Sequence, residues 1–91
     1  MCKLTRYFYN RRMYYAYVLK SKVDGSLYFG STTDLRQRVI SHNKGQVIST
    51  KKRKPWHIVW YGSFDTEAKA VSFEKYLKTA SGKAFARKRL V

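Results

Sequence analysis

The stretch 27–45, LYFGSTTDLRQRVISHNKG, limits the fold more than any other part of this chain. Leu27, Tyr28 and Phe29 favour a strand. Gly30 then removes a side chain where another backbone or a ligand can come close. From there the pattern turns helical. Thr32 or Thr33 is placed to cap a helix, Asp34 puts a negative charge in its first turn, and Gly45 stops it. On the helical wheel Leu35 and Val39 form the buried stripe. Arg38 and His42 sit beside that stripe, one turn apart and on the same side, while Arg36, Gln37 and Ser41 point elsewhere. Two basic side chains at the rim of a buried face, just after a Tyr-x-Gly strand end, read as a site. The structural alternative is a snorkelling arginine and a surface histidine.

Residues 14–20, YYAYVLK, read as the preceding strand, with Tyr15, Tyr17 and Leu19 on one face and Ala16 and Val18 on the other. Asp24-Gly25 is a hairpin signal. A two- or four-residue loop centred there sets Lys22 opposite Leu27, Leu19 opposite Gly30 and Tyr17 opposite Thr32. Tyr17 and Tyr28 then leave the same face; a loop one residue longer would separate them. Two half-core tyrosines with satisfied hydroxyls are the alternative.

Residues 56–64, WHIVWYGSF, predict a third strand, Ile58 and Trp60 on one face and His57, Val59 and Tyr61 on the other. Asp65 is placed to cap a second helix, with Glu67 in its first turn and Ala70, Phe73, Leu77 and Ala80 buried. Gly82 is expected to stop it, and a short basic segment follows with Ala84, Phe85 and Leu90 inward. The order is strand, strand, helix, strand, helix: one domain over 14–91 behind a basic, aromatic leader at 1–13.

The formal charge is +15, from 20 Lys and Arg against 5 Asp and Glu. A chain of 91 residues with 44% hydrophobic content is no disordered tail. The excess charge points to a polyphosphate partner, nucleic acid before membrane. Lys51, Lys52, Arg53 and Lys54 form a cation block with few acids to pair it, and Lys83, Arg87, Lys88 and Arg89 extend the positive surface. Cys2 is the single cysteine, which excludes an internal disulfide or a cysteine-based zinc site and fits a reducing cytoplasm. The start MCKLTRYFYNRR has no apolar signal core, so no secretory signal is expected.

Four of the five acids have local structural places: Asp24 in the hairpin turn, and Asp34, Asp65 and Glu67 at helix starts. Glu74 has none and lies at the margin of a stripe that should be apolar. A buried carboxylate needs a partner. Lys78 at i+4 or an arginine across the core is one candidate; a metal ion for phosphate chemistry is another.

Tyr15-Ala16-Tyr17, then Tyr28-Phe29-Gly30, then Arg38 and Glu74, resemble the GIY-YIG nuclease superfamily, in particular its small standalone members. The phrases DGSLYFGSTTDLRQRVISHNKG and AVSFEKYLK carry the likeness, which covers about residues 14–90. The first triplet lacks the opening glycine and Phe29 stands where isoleucine is usual, but both tyrosines are kept. Ser31 stands where some relatives, such as the excision-repair incision subunit, have lysine. The resemblance implies an α+β fold, a three-stranded antiparallel sheet flanked by helices, and one-metal hydrolysis of DNA phosphodiester bonds. Glu74 would hold magnesium or manganese. Tyr17 would act as general base or order the attacking water, Arg38 would neutralise phosphate charge, Tyr28 would contact the phosphate or help position the water, and His42 would relay a proton. One spare carboxylate suits a one-metal site, since two-metal nucleases need several. The alternatives are a non-catalytic nucleic-acid-binding module on the same fold and a small basic ribonucleoprotein component; no small-molecule substrate is expected.

Overall fold

A computed structural model describes residues 13–90, and in it YYAYVLKS forms β1 (Tyr14–Ser21). Ala16, Tyr17, Val18 and Leu19 are all buried. An unbroken buried run means cover on both faces, and β1 is the central strand. β2 (Leu27–Thr32) and β3 (Trp56–Phe64) flank it, antiparallel, in the order β2-β1-β3. Helix α1 (Leu35–Asn43) follows β2, and a 3-10 turn, Lys51–Arg53, precedes β3. Helices α2 (Glu67–Leu77) and α3 (Ala80–Phe85) and a π-helical turn, Ala86–Leu90, complete the described chain. The fold is the expected α+β sheet flanked by helices.

Alternation along β1 splits the core in two. Tyr17 and Leu19 pack with Trp56, against Tyr28, Leu35, Val39 and Ile58. Val18 packs with Phe29, Leu77 and Ala86, against Val59, Trp60 and Phe73. Helix α1 therefore covers one face, and α2 with the C-terminal turn covers the other.

The hairpin register differs from expectation by two residues. Tyr17 faces Gly30, not Thr32, and Leu19 faces Tyr28. Ser21 moves the loop one residue earlier: its Oγ accepts from Val23 N at 3.0 Å, and its backbone carbonyl accepts from Gly25 N at 2.9 Å. A shift of two keeps the parity, so Tyr17 and Tyr28 still share a face. Ile58 and Trp60 do not share one. Val18 pairs with Trp60 while Leu19 pairs with Ile58, which leaves Val59 as a bulge that flips the alternation.

Both helix caps also sit later in the chain than predicted. Asp34, not Thr32 or Thr33, caps α1, accepting from Gln37 N at 3.0 Å. Thr66, not Asp65, caps α2, accepting from Lys69 N at 3.2 Å, while Asp65 pairs with Lys69 Nζ at 3.1 Å. In each case the chosen side chain is the one that reaches the amide three residues on. Gly82 lies inside α3, which Thr79 caps, rather than ending a helix; its missing Cβ clears the Tyr76 carbonyl. Ala80, Ala84 and Phe85 are consequently exposed, and Ala86 turns inward with Leu90 against the core. The expected leader at 1–13 lies, apart from Met13, outside the described residues.

Candidate active site

Tyr17 is fully buried at the centre of the sheet. Its ring lies across its register partner Gly30, where a Cβ would sit 2.5 Å from the hydroxyl oxygen. The missing side chain at position 30 is what lets the phenol reach across β2. Helix α1 then brings two groups to that oxygen: Arg38 Nε donates to it over a long 3.4 Å, and His42 Nε2 lies 3.1 Å away. Tyr28 closes the cluster. Its ring centroid is 4.8 Å from the His42 ring, and the two tyrosine rings are 6.3 Å apart.

His42 is inside the protein, at 0% exposure, not at a rim. Periodicity places it beside the buried stripe of α1, but the segment after Gly45 folds back and seals it. His42 Nδ1 lies 2.8 Å from Thr50 Oγ1, and Thr50 is also at 0% exposure. Trp56 fixes that segment by donating from Nε1 to the Thr50 carbonyl at 2.9 Å. Asn43 in turn clamps the Trp56 backbone, accepting from its N–H at 2.6 Å and donating to its carbonyl at 3.0 Å. Nothing in the local pattern singled out Thr50, because its place depends on this return of the chain.

Burial sets the electrostatics of the cluster. It pushes the Tyr17 phenol up to about 12, with Arg38 pulling the other way and Tyr28 and Glu74 adding to the rise. Burial, and then the charge of Arg38, holds His42 down to about 4. The hydrogen bond with Tyr17 is the main reason the Arg38 guanidinium is held charged even more firmly than usual. At neutral pH the site is a neutral phenol, a neutral imidazole and a fixed cation.

Glu74 comes from the other side of the sheet. It stands on α2, and Ser31, two residues beyond Phe29 on that face, donates to its Oε1 at 2.6 Å. Lys78 Nζ pairs with Oε2 at 2.7 Å. The ion pair at i+4 is therefore present, and Glu74 is linked to the tyrosine cluster by its field at Tyr17 rather than by contact. Ser31 is a neutral donor that aims the carboxylate, a role the sequence did not reveal.

Among the described residues no group of three or more His, Cys, Asp and Glu side chains is placed to hold a metal ion. A single carboxylate nevertheless fits magnesium, which keeps several waters and takes one or two carboxylates together with substrate phosphate. Glu74 is 17% exposed, and its partner Lys78 is 53% exposed. Glu74 is thus partly covered and Lys78 largely open, and an ion bound at Oε2 would take the place of the lysine.

The cation block divides. Arg53 is turned into the fold: Nη1 donates to Ser26 Oγ at 3.1 Å, Nη2 to the Ser49 carbonyl at 3.2 Å, and the guanidinium lies 5.5 Å from the centre of the Trp56 ring. Lys51, Lys52 and Lys54 are exposed, as are Lys83, Arg87, Lys88 and Arg89. No described helix is long and apolar enough to cross a membrane.

The family model of the GIY-YIG catalytic domain matches residues 13–89. A UPF0213 protein of Staphylococcus saprophyticus is 44% identical over 69 residues, spanning 75% of this chain and 83% of that protein. One from Staphylococcus aureus is 39% identical over 67 residues, 72% of this chain and 80% of the relative. The solution NMR structure of a UPF0213 protein from Bacillus halodurans superposes with a TM-score of 0.52 at 30% identity, over 84% of this chain and 83% of that one. A match that runs through both tyrosine strands, α1 and α2 agrees with the sheet and with the cluster built on it: the chain belongs to the GIY-YIG family, a nuclease-type family.

Proposed function

We propose that this protein is a metal-dependent endonuclease that hydrolyses DNA phosphodiester bonds with a single divalent ion. The observation that carries the reading is the Arg38–Tyr17–His42 cluster, in which a fixed cation and a neutral imidazole meet one buried phenol oxygen. A phenol pushed up to about 12 is a poor base alone. It becomes useful when it can hand on its own proton as it takes another; His42 Nε2 is the acceptor in reach, and because burial holds that imidazole down to about 4 the transfer has to be concerted with attack on the phosphate. The Tyr17 oxygen is covered and bonded to Arg38, so the reading requires that Arg38 turn to the bound phosphate and open that oxygen to the attacking water, whose proton it then accepts. Arg38 neutralises charge that grows on the phosphate, as a guanidinium does well. Tyr28 contacts a phosphate oxygen beside it. Glu74 would hold the ion, magnesium or manganese, which when bound would supply positive charge to offset the charge that grows on the phosphate.

The exposed lysines 51, 52 and 54, with Lys83, Arg87 and Lys88, supply contacts to the DNA backbone that are independent of sequence. The Glu74–Lys78 ion pair supports a second reading, a binding module on the same fold without catalysis. Incision of a panel of duplex, nicked, branched and single-stranded DNA decides between them. Cleavage in magnesium that stops with chelator supports the enzyme; tight binding of every substrate with no cleavage supports the module.

A further inference from the structure

Four polar side chains and one backbone carbonyl lie in a line through the buried side of the site. Arg38 Nε donates to the Tyr17 oxygen, which lies 3.1 Å from His42 Nε2. His42 Nδ1 lies 2.8 Å from Thr50 Oγ1, and Thr50 Oγ1 lies 3.3 Å from the Val47 carbonyl. A carbonyl only accepts, so it fixes the direction of the line. With the Thr50 hydroxyl proton on Val47, the Thr50 oxygen is free to accept, and His42 Nδ1 must carry the imidazole proton. Nε2 is then a bare lone pair facing Tyr17, whose own hydroxyl proton has an acceptor. Every N–H and O–H on the path is satisfied, and all point the same way.

The reverse arrangement is worse at both ends. It puts the imidazole proton on Nε2, aimed at a Tyr17 oxygen that already accepts from Arg38. It also draws the Thr50 hydroxyl proton away from the Val47 carbonyl and leaves the Tyr17 proton without one of these acceptors. Tyr17, His42 and Thr50 are each at 0% exposure, so water does not freely repair such a mismatch.

We propose that Thr50 is a positioning residue which locks His42 as the Nδ1–H tautomer and so keeps Nε2 open to the proton of Tyr17. The inference deepens the hydrolase reading and rests on it for its catalytic consequence. In the step it serves, DNA binding draws Arg38 to the phosphate and admits one water to the otherwise covered Tyr17 oxygen; that water gives a proton to the oxygen as the Tyr17 hydroxyl proton passes to His42 Nε2. The resulting hydroxide forms the new P–O bond, the bond to the 3′ oxygen breaks with its electron pair on that oxygen, and solvent protonates it. His42 then returns its proton through Tyr17 to solvent, replacing the one taken up by the 3′ oxygen. A histidine protonated on Nε2 in the resting state has no place for that proton.

The test reads the tautomer directly. Long-range proton–nitrogen correlation spectra of the nitrogen-labelled full chain at neutral pH report which ring nitrogen of His42 carries hydrogen. The chain has 2 histidines, and exposed His57 serves as the internal reference. The expected result is an Nδ1–H imidazole in the wild type and in Thr50→Ser, and a shift toward Nε2–H in Thr50→Val. With DNA and magnesium, Thr50→Val should lose about 100-fold in kcat with KM little changed, and serine should restore it. A wild-type proton on Nε2, or a Thr50→Val variant that keeps both the tautomer and the rate, overturns the inference. Should the valine variant fail to fold, the wild-type spectrum decides alone. Failure of the hydrolase reading looks different: no cleavage by the wild type, with the His42 tautomer still read by the spectrum.

Discussion

Ser31 Oγ donates to Glu74 Oε1 at 2.6 Å, joining the outer strand β2 to helix α2 across 43 positions of sequence. The bond holds one carboxylate oxygen while the other faces Lys78 and solvent. Glu74→Gln keeps an acceptor for Ser31 and removes the charge that would fix a divalent ion. Cleavage should fall by about 1000-fold or more, because the ion contributes several kcal/mol of charge stabilisation. DNA affinity should hold or rise with one negative charge gone. Stability should change by about 1 kcal/mol or less, since one partner of the ion pair, Lys78, is open to solvent and the Ser31 bond is kept. Nicking assays and thermal melts on the same preparation check this; near-normal activity per folded molecule would sink the metal assignment.

His42 makes acid stability a readout of the buried cluster. Its folded pKa of about 4 lies below the ordinary histidine value of 6.5. The unfolded chain therefore binds the extra proton first as pH falls. The contribution is fully present above about 6.5 and is lost on the way down through about 4, at most about 3 kcal/mol. Denaturant melts from pH 7 to pH 4 should show that slope, and His42→Gln should flatten it. A wild-type slope equal to that of the glutamine variant would mean the histidine is not held neutral.

Gly30→Ala tests the reach of Tyr17 across β2. The new Cβ would meet the Tyr17 hydroxyl oxygen and Cζ at 2.5 and 2.6 Å, against a ring with no free space around it. The phenol must swing away from both Arg38 and His42. Overpacking of this kind costs about 1–3 kcal/mol. The loss of rate should exceed what that destabilisation explains, by about 100-fold. A folded alanine variant with wild-type kcat would show that the phenol need not occupy this place.

The sheet and the pairing of Tyr17 with Tyr28 were legible because alternation and a turn signal constrain parity, and parity survived a register shift of two. The Val59 bulge was not legible, since an inserted residue leaves no mark on composition; it moved Trp60 to the far face. Arg38 was placed by helical period alone. The burial of His42 was not, because it depends on Thr50 and Trp56, which return to the helix from across a loop. Glu74 stood out as an acid without a local task, but its tie to Ser31 crosses two elements. Period and propensity describe single elements; the site is made where four of them meet.

The cation block should separate into side chains that bind DNA and one that serves the fold. Lys51, Lys52 and Lys54 are exposed, while Arg53 binds Ser26 and Ser49 and lies over Trp56. Neutralising the three lysines with glutamine should leave the melting temperature nearly unchanged, as such surface changes usually do. The same variant should weaken DNA binding and flatten its log–log salt dependence by about 0.9 for each phosphate no longer neutralised. Arg53→Gln should do the opposite. It removes hydrogen bonds and a cation–π interaction, so it should cost about 1–2 kcal/mol of stability. Its effect should extend to the site, because Trp56 also holds the Thr50 carbonyl. The salt slope of the folded Arg53→Gln protein should match the wild type. If that slope falls by as much per charge as it does for the lysines, Arg53 reaches the phosphates after all, and the division of the block is wrong.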